Sequence, residues 1–383
     1  MRYDFDQVRE RRGTDSIKWK KYGDAVLPLW VADMDFSPAE PILQALHCRI
    51  DQGFLGYTLP PDELRQLIRE RLHRVYAWQI QDEEILYLPG LVTGLNISSL
   101  AFAGPGEGIL VQPPVYPHFV KDPILRGRAL IDPPLVPNGD TYEIDFDAFE
   151  RSITDRTKLF ILCNPHNPVG RVYRLQELEQ MAQICLRHNL TICSDEIHCD
   201  LLYPGFRHIP IATLSPEVAD RTVTLMALSK TYNLAGLGFG FAIITNPELR
   251  KTWAITSLGV IPGVSIMAHV ASLAALREGG EWLAQVLLYL RGNRDYLSRY
   301  IQESLSGMQM TRMEGTYLAW LDCREAGIPG DPFEFFLKEA RVALMDGKEF
   351  GRGGDGFLRL NFACPRSTLS EALERMTAAL KRV

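Results

Sequence analysis

Along the middle of the chain, short unbroken apolar runs alternate with amphipathic stretches. The runs are Ile109–Val111, Leu159–Cys163, Leu190–Ser194, Val223–Ala227 and Phe239–Ile244, each rich in branched residues and bounded by breakers or polar residues. A run that stays apolar, instead of alternating, is the pattern of a strand buried on both faces. Between the runs, Gln176–Arg187 sets Leu178, Met181, Ala182 and Cys185 at helical spacing, and Asp145–Ile153 does so more briefly. Strands alternating with helices predict an α/β fold with a mostly parallel sheet. Ligands of such sheets bind outside the carboxyl ends of the strands. The polar residues that follow the runs should therefore converge: Asn164, Asn167, Asp195, His198, Ser229 and Lys230.

The texture changes from about Glu281. A long helical stretch, Glu281–Leu305, precedes an expected strand at Thr316–Asp322, a helix at Asp331–Arg341, a strand at Phe357–Asn361 and a last helix from Ser367. This reads as a smaller α+β domain. The first residues, up to about Pro41, lack the character of a sheet core and are expected to join it. The division is then a large domain over 42–280 and a small one from 1–41 and 281–383, which suits a chain of 383 residues.

Composition narrows the function classes. Hydrophobic residues make up 46% and charged residues 23%, as in an ordinary folded protein, and the net charge is −6. No basic run offers a nucleic-acid footprint. The N-terminus is charged, without the apolar core of a secretory signal. No stretch approaches the roughly 20 apolar residues of a membrane span. A cytoplasmic protein with neither nucleic acid nor membrane as partner is the expectation. The seven cysteines are scattered and odd in number, which points to reduced, buried thiols. Cys193 and Cys199, with His198 between them, lack zinc-site spacing, and no metal is expected.

Several residues after the runs carry chemistry in combination. Asp195 ends an apolar run; it could cap a turn, or it could face a buried cation such as a protonated ring nitrogen. Lys230 also follows a run, as a lysine reaching out to solvent or as an amine kept neutral to form an imine. In Asn164-Pro165-His166-Asn167-Pro168 the two Asn-Pro steps force a turn. Asn164 fits plain turn chemistry, Asn167 can donate to a ring oxygen, and His166 reads as exposed. Gly90-Leu91-Val92-Thr93-Gly94 opens a helix running to about Ala103, whose free N–H groups can hold an anion, with Thr93 and Ser229 as added hydroxyls. Tyr116, in a proline-stiffened loop, can stack on a planar ring or simply pack. Arg359, among apolar residues of a strand, is an edge charge or a clamp for a carboxylate.

Taken in order, these motifs resemble the fold-type I pyridoxal-phosphate (PLP) enzymes of the class I/II aminotransferase superfamily, along nearly the whole chain. Pro28-Leu29-Trp30-Val31-Ala32-Asp33-Met34-Asp35-Phe36, Asp195-Glu196-Ile197-His198 and the tail Gly356–Pro365 resemble the cystathionine β-lyase and cystalysin-like C–S lyase branch. The resemblance implies an aspartate aminotransferase-like fold with a seven-stranded sheet, and pyridoxal 5'-phosphate as cofactor. It implies a Schiff base on Lys230, a ring-nitrogen partner in Asp195, a ring-oxygen donor in Asn167, stacking by Tyr116, and phosphate contacts from Val92, Thr93 and Ser229. Arg359 would clamp the substrate carboxylate beside the Ala32 backbone, and Tyr57 would act in the neighbouring subunit's site of a homodimer. Two departures stand out. Gly238 occupies the place of a phosphate-binding arginine, and His198 that of a phenol aimed at the ring oxygen. The implied reaction is β-elimination from an amino-acid substrate such as L-cystathionine. The alternatives are an aminotransferase and, more remotely, a cofactor-bearing regulatory protein acting through protein contacts.

Overall fold

A computed structural model describes residues 2–383. Its larger sheet has seven strands: β1 (Ile85–Leu88), β2 (Gly108–Leu110), β3 (Ala129–Ile131), β4 (Thr157–Cys163), β5 (Thr191–Asp195), β6 (Thr222–Met226) and β7 (Gly240–Ile243). They lie in the order β1-β7-β6-β5-β4-β2-β3. The pairings β2–β3, β2–β4, β4–β5 and β5–β6 are parallel, whereas β7 is antiparallel to both β1 and β6. The expected α/β sheet is thus present, with one reversed strand. The connection into β7 explains the reversal: it holds only a short 3-10 turn at Ala235–Leu237, with no helix to carry the chain back across the sheet.

Helix α1 (Leu91–Phe102) packs so closely on this sheet that a Cβ on Gly94 would lie 2.9 Å from the Leu225 side chain. Helix α2 (Leu175–Arg187) buries Leu178, Met181, Ala182 and Cys185, the face its spacing predicts. The helix expected over Asp145–Ile153 spans Phe146–Arg151, and the Asp145 side chain caps it by accepting from Ala148 N–H at 2.8 Å.

The second sheet is antiparallel: β8 (Gln309–Met310), β9 (Leu318–Asp322), β10 (Met345–Asp346) and β11 (Phe357–Asn361), in the order β8-β9-β11-β10. The long helix α3 (Gly280–Ser304) and the last helix α4 (Arg366–Leu380) match the expected stretches closely. The helix expected at Asp331–Arg341 is one α-turn, Pro332–Phe335, that widens into a π-turn over Phe336–Ala340 and stops at Arg341 with φ +52°. The N-terminal segment joins this second layer. Leu27–Pro28 pairs with Val342–Ala343, and Asn361 N–H donates to the Leu29 carbonyl at 2.8 Å.

All seven cysteines are free thiols; six are buried, and Cys48 is exposed on the helix Glu40–Asp51, against the expectation of burial. Among the described residues no helix is long and apolar enough to cross a membrane.

Candidate active site

The carboxyl ends of the parallel strands open into a cavity of about 660 Å³, within the range of small-molecule and cofactor sites. Lys230, Asp195, Asn167, His198 and Ser229 line it from the strand ends. Val92 and Thr93 reach it from the first turn of α1, and Tyr116 from the loop after β2. Ala32 and Arg359 close it from the side of the second sheet. Tyr57 is not part of this cavity; it stands fully exposed in a loop with Phe54, Leu55 and Leu59.

The strand ends set the electrostatics. Asp195 is the last residue of β5, 5% exposed, and the one hydrogen bond to its carboxylate among the described residues is from Ile197 N–H to Oδ1 at 3.1 Å. Burial, with Glu196 next to it, pushes its carboxyl up to about 7. Lys230 shows the opposite shift. Burial, and then the Arg359 charge, bring its amine down to about 8, while Nζ donates to the Ala32 carbonyl at 2.8 Å. His198 is held neutral by burial, its ring down to about 3, and its Nδ1 has no hydrogen-bond partner among the described residues.

Arg359 lies on β11, an interior strand between β9 and β10, so it is not an edge charge. Its guanidinium is buried at 2% exposure and donates to Asn167 Oδ1 at 3.0 Å and to the Trp30 carbonyl at 2.9 Å. Nε has no partner, and no carboxylate pairs with it among the described residues. Burial lowers it only to about 10, so it stays charged at neutral pH.

The segment Trp30–Met34 is held carbonyl by carbonyl from distant parts of the chain. Arg359 takes the oxygen of Trp30, Asn361 those of Val31 and Asp33, Lys230 and Tyr317 that of Ala32, and Asn233 that of Met34. Below it, the buried Lys18 ammonium contacts Asp35 Oδ2 at 2.7 Å, while Arg11 and Trp19 donate to Oδ1 at 2.9 and 3.1 Å. Tyr317, Asn233 and the Asp35 cluster escaped the reading of the sequence. Their partners are backbone or side-chain groups brought near by the fold, and no local pattern marks them. His166, read as exposed, is 1% exposed; Nε2 meets the Gln112 carbonyl at 3.2 Å, and burial lowers the ring to about 3.

These groups fit pyridoxal 5'-phosphate. A buried carboxylate with no ion pair among the described residues, a lysine amine of lowered basicity and a helix N-terminus opening on one cavity match a ring cation, an aldehyde and a phosphate. Gly238 also fits. It has φ +63°, and a Cβ there would stand 2.9 Å from the Pro89 carbonyl oxygen, so the backbone leaves no room for an arginine side chain.

Residues 25–376 match the family described as aminotransferase class I and II. The chain belongs to that family. It is 38% identical to a protein named cystathionine beta-lyase PatB from Bacillus subtilis, over 98% of this chain and 99% of the relative. Among solved structures, one titled as that of OvoB is 44% identical with a TM-score of 0.95, covering 100% of both chains. Cystalysin from Treponema denticola, described as containing a pyridoxal 5'-phosphate cofactor, is 32% identical with a TM-score of 0.96, again over 100% of both. The family membership accounts for the seven-stranded sheet and the smaller second sheet beside it.

Proposed function

We propose that the protein is a PLP-dependent carbon–sulfur β-lyase that cleaves L-cystathionine or a related S-substituted cysteine. The observation that carries the proposal is the pairing, in one cavity, of the Lys230 amine with the buried Arg359 guanidinium that lacks a carboxylate. An α-amino acid brings that carboxylate and an α-proton. The full-length likeness to a cystathionine β-lyase favours elimination over amino transfer.

The roles divide as follows. Lys230 would hold the cofactor, Asp195 would face its ring nitrogen, Asn167 would donate to its ring oxygen, and Tyr116 would stack on it. Val92, Thr93 and Ser229 would hold its phosphate, with His198 beside the ring. When bound, the cofactor supplies an electron sink for charge on the substrate α-carbon. Arg359 fixes the substrate through its carboxylate, a bidentate contact that orients the α-carbon. Lys230 Nζ, neutral in part at pH 7, takes the α-proton. The Ala32 carbonyl orients that amine, and Tyr317 Oη shares the same oxygen. The Cβ–S bond breaks with its electron pair on sulfur, which takes a proton from Lys230 or from Tyr57 of a second subunit. Water completes the balance, giving a thiol, pyruvate and ammonia.

A homodimer belongs to this proposal. The exposed apolar loop Phe54–Leu59 supports it, since such a patch is costly in water. A cytoplasmic location is proposed as well, supported by the free thiols. The deciding experiment is incubation of the holoenzyme with L-cystathionine in the absence of any keto acid. Repeated turnovers yielding pyruvate, ammonia and thiol are expected. Turnover that requires a keto acid acceptor and releases no thiol would instead establish an aminotransferase.

A further inference from the structure

At the mouth of the cavity, Lys121 and Glu349 form an ion pair between two different parts of the chain. Lys121 sits on the helix Pro117–Leu125 that follows Tyr116; Glu349 sits in the turn Gly347–Phe350 of the second-sheet layer. Both side chains are about half exposed, and among the described residues each is the other's only ion-pair partner. The neighbouring charge, Asp122, is already engaged by His118 and Asn96. Glu349 directly precedes Phe350, whose ring lies 5.1 Å from the Arg359 guanidinium. Phe350 also ties the two walls together, its carbonyl accepting from Val115 N–H at 2.9 Å. The pair therefore faces the same cavity as Arg359, from its solvent side, and Met345 lines the cavity as well.

A half-exposed ion pair contributes little by itself and is easily opened. Opened toward the cavity, it presents one cation and one anion side by side. That arrangement matches a group carrying one carboxylate and one ammonium, because one weak contact is exchanged for two charge-assisted ones. An anion alone would leave Glu349 unmatched, and a cation alone would leave Lys121 so. We propose that Lys121 and Glu349 bind the zwitterionic distal end of a thioether substrate, Lys121 taking the carboxylate and Glu349 the ammonium. This rests on the carbon–sulfur lyase reading, in which Arg359 holds the proximal carboxylate. The substrate class it selects is an S-substituted cysteine whose substituent itself ends in an α-amino acid.

The test compares L-cystathionine, which has such an end, with S-methyl-L-cysteine, which has none. It uses the holoenzyme and its Lys121→Gln and Glu349→Gln variants, with the visible absorbance of bound cofactor as the check on folding. The ratio of kcat/KM for L-cystathionine over S-methyl-L-cysteine is expected to fall about tenfold or more in each variant. The exchanged double variant Lys121→Glu/Glu349→Lys should recover most of it. A ratio that stays within about twofold of the unsubstituted enzyme in both single variants overturns the inference and leaves the pair as a surface contact. Cleavage of S-methyl-L-cysteine but not L-cystathionine by the unsubstituted enzyme overturns it as well, with the lyase reading intact. Release of thiol from neither substrate removes the lyase reading itself, and this inference with it.

Discussion

Lys230 must be neutral to react with an aldehyde; removal from water and the Arg359 charge favour that form, while the nearby carboxylates of Asp33 and Asp195 favour the ammonium. The amine is poised at about 8. Below that value only the neutral fraction reacts, so the rate at which the cofactor-free protein captures PLP should rise about tenfold per pH unit up to pH 8 and then level off. Rapid-mixing absorbance from pH 6 to 10 measures this; a rise that continues to pH 10 would mean an ordinary, unshifted lysine. Replacing Lys230 by Ala should abolish both the visible absorbance of the bound cofactor and turnover. Gly238→Ala places a Cβ against the Pro89 carbonyl at φ +63° and should cost about 1 kcal/mol or more in urea unfolding of the cofactor-free protein. At this scale the sequence is readable where a polar residue directly follows an apolar run, as Asp195 does, or stands in the turn just after one, as Asn167 does. It was not readable for Tyr317 or Asn233, which act on backbone carbonyls of a segment roughly 200 or more positions away.

Strands declare themselves when both faces are buried. The pattern marks β2, β4, β5, β6 and β7 for that reason, to within a residue or two at most ends. Strands β1 and β3 carry weaker signals. β1 has four residues, two of them only partly buried, and β3 has three residues at the sheet edge, one of them exposed. The direction of β7 is set by a connection lacking a helix, which apolar periodicity does not report. The N-terminal segment has little regular structure beyond the helical turn Ile17–Lys20 and the strand pair at Leu27–Pro28, and Asp35 ties it together. Asp35→Asn leaves the buried Lys18 ammonium without its counter-charge and should destabilise the protein by about 3–5 kcal/mol, read from guanidinium unfolding. A loss of less than about 1 kcal/mol would show that the Asp33 carbonyl, which accepts from Lys18 Nζ at 2.8 Å, suffices by itself.

For the molecule as a whole, the proposal of a shared-site dimer makes a distinctive demand. Tyr57 stands away from the cavity of its own chain, so a subunit lacking Lys230 and a subunit lacking Tyr57 have complementary defects. Mixed and allowed to exchange, Lys230→Ala and Tyr57→Ala proteins, each severely impaired alone, should recover about a quarter of the unsubstituted activity, because half of the dimers then carry one intact site of two. No recovery after exchange confirmed by native mass spectrometry would place Tyr57 outside the chemistry. The clamp on Trp30–Met34 carries a different consequence, one of timing during synthesis. Trp30 and its Arg359 partner are separated by 329 positions, and the contacts of Asn361 span as far. A chain still attached to the ribosome can form most of the seven-stranded sheet early, as N-terminal parts fold first. The segment Trp30–Met34 can dock early on Lys230 and Asn233, but its contacts with Arg359 and Asn361 wait until β11 emerges. Completion of the substrate side of the cavity thus waits for β11 to be made, and a chain cut short before β11 is left with the Lys230 region but without the Arg359 clamp.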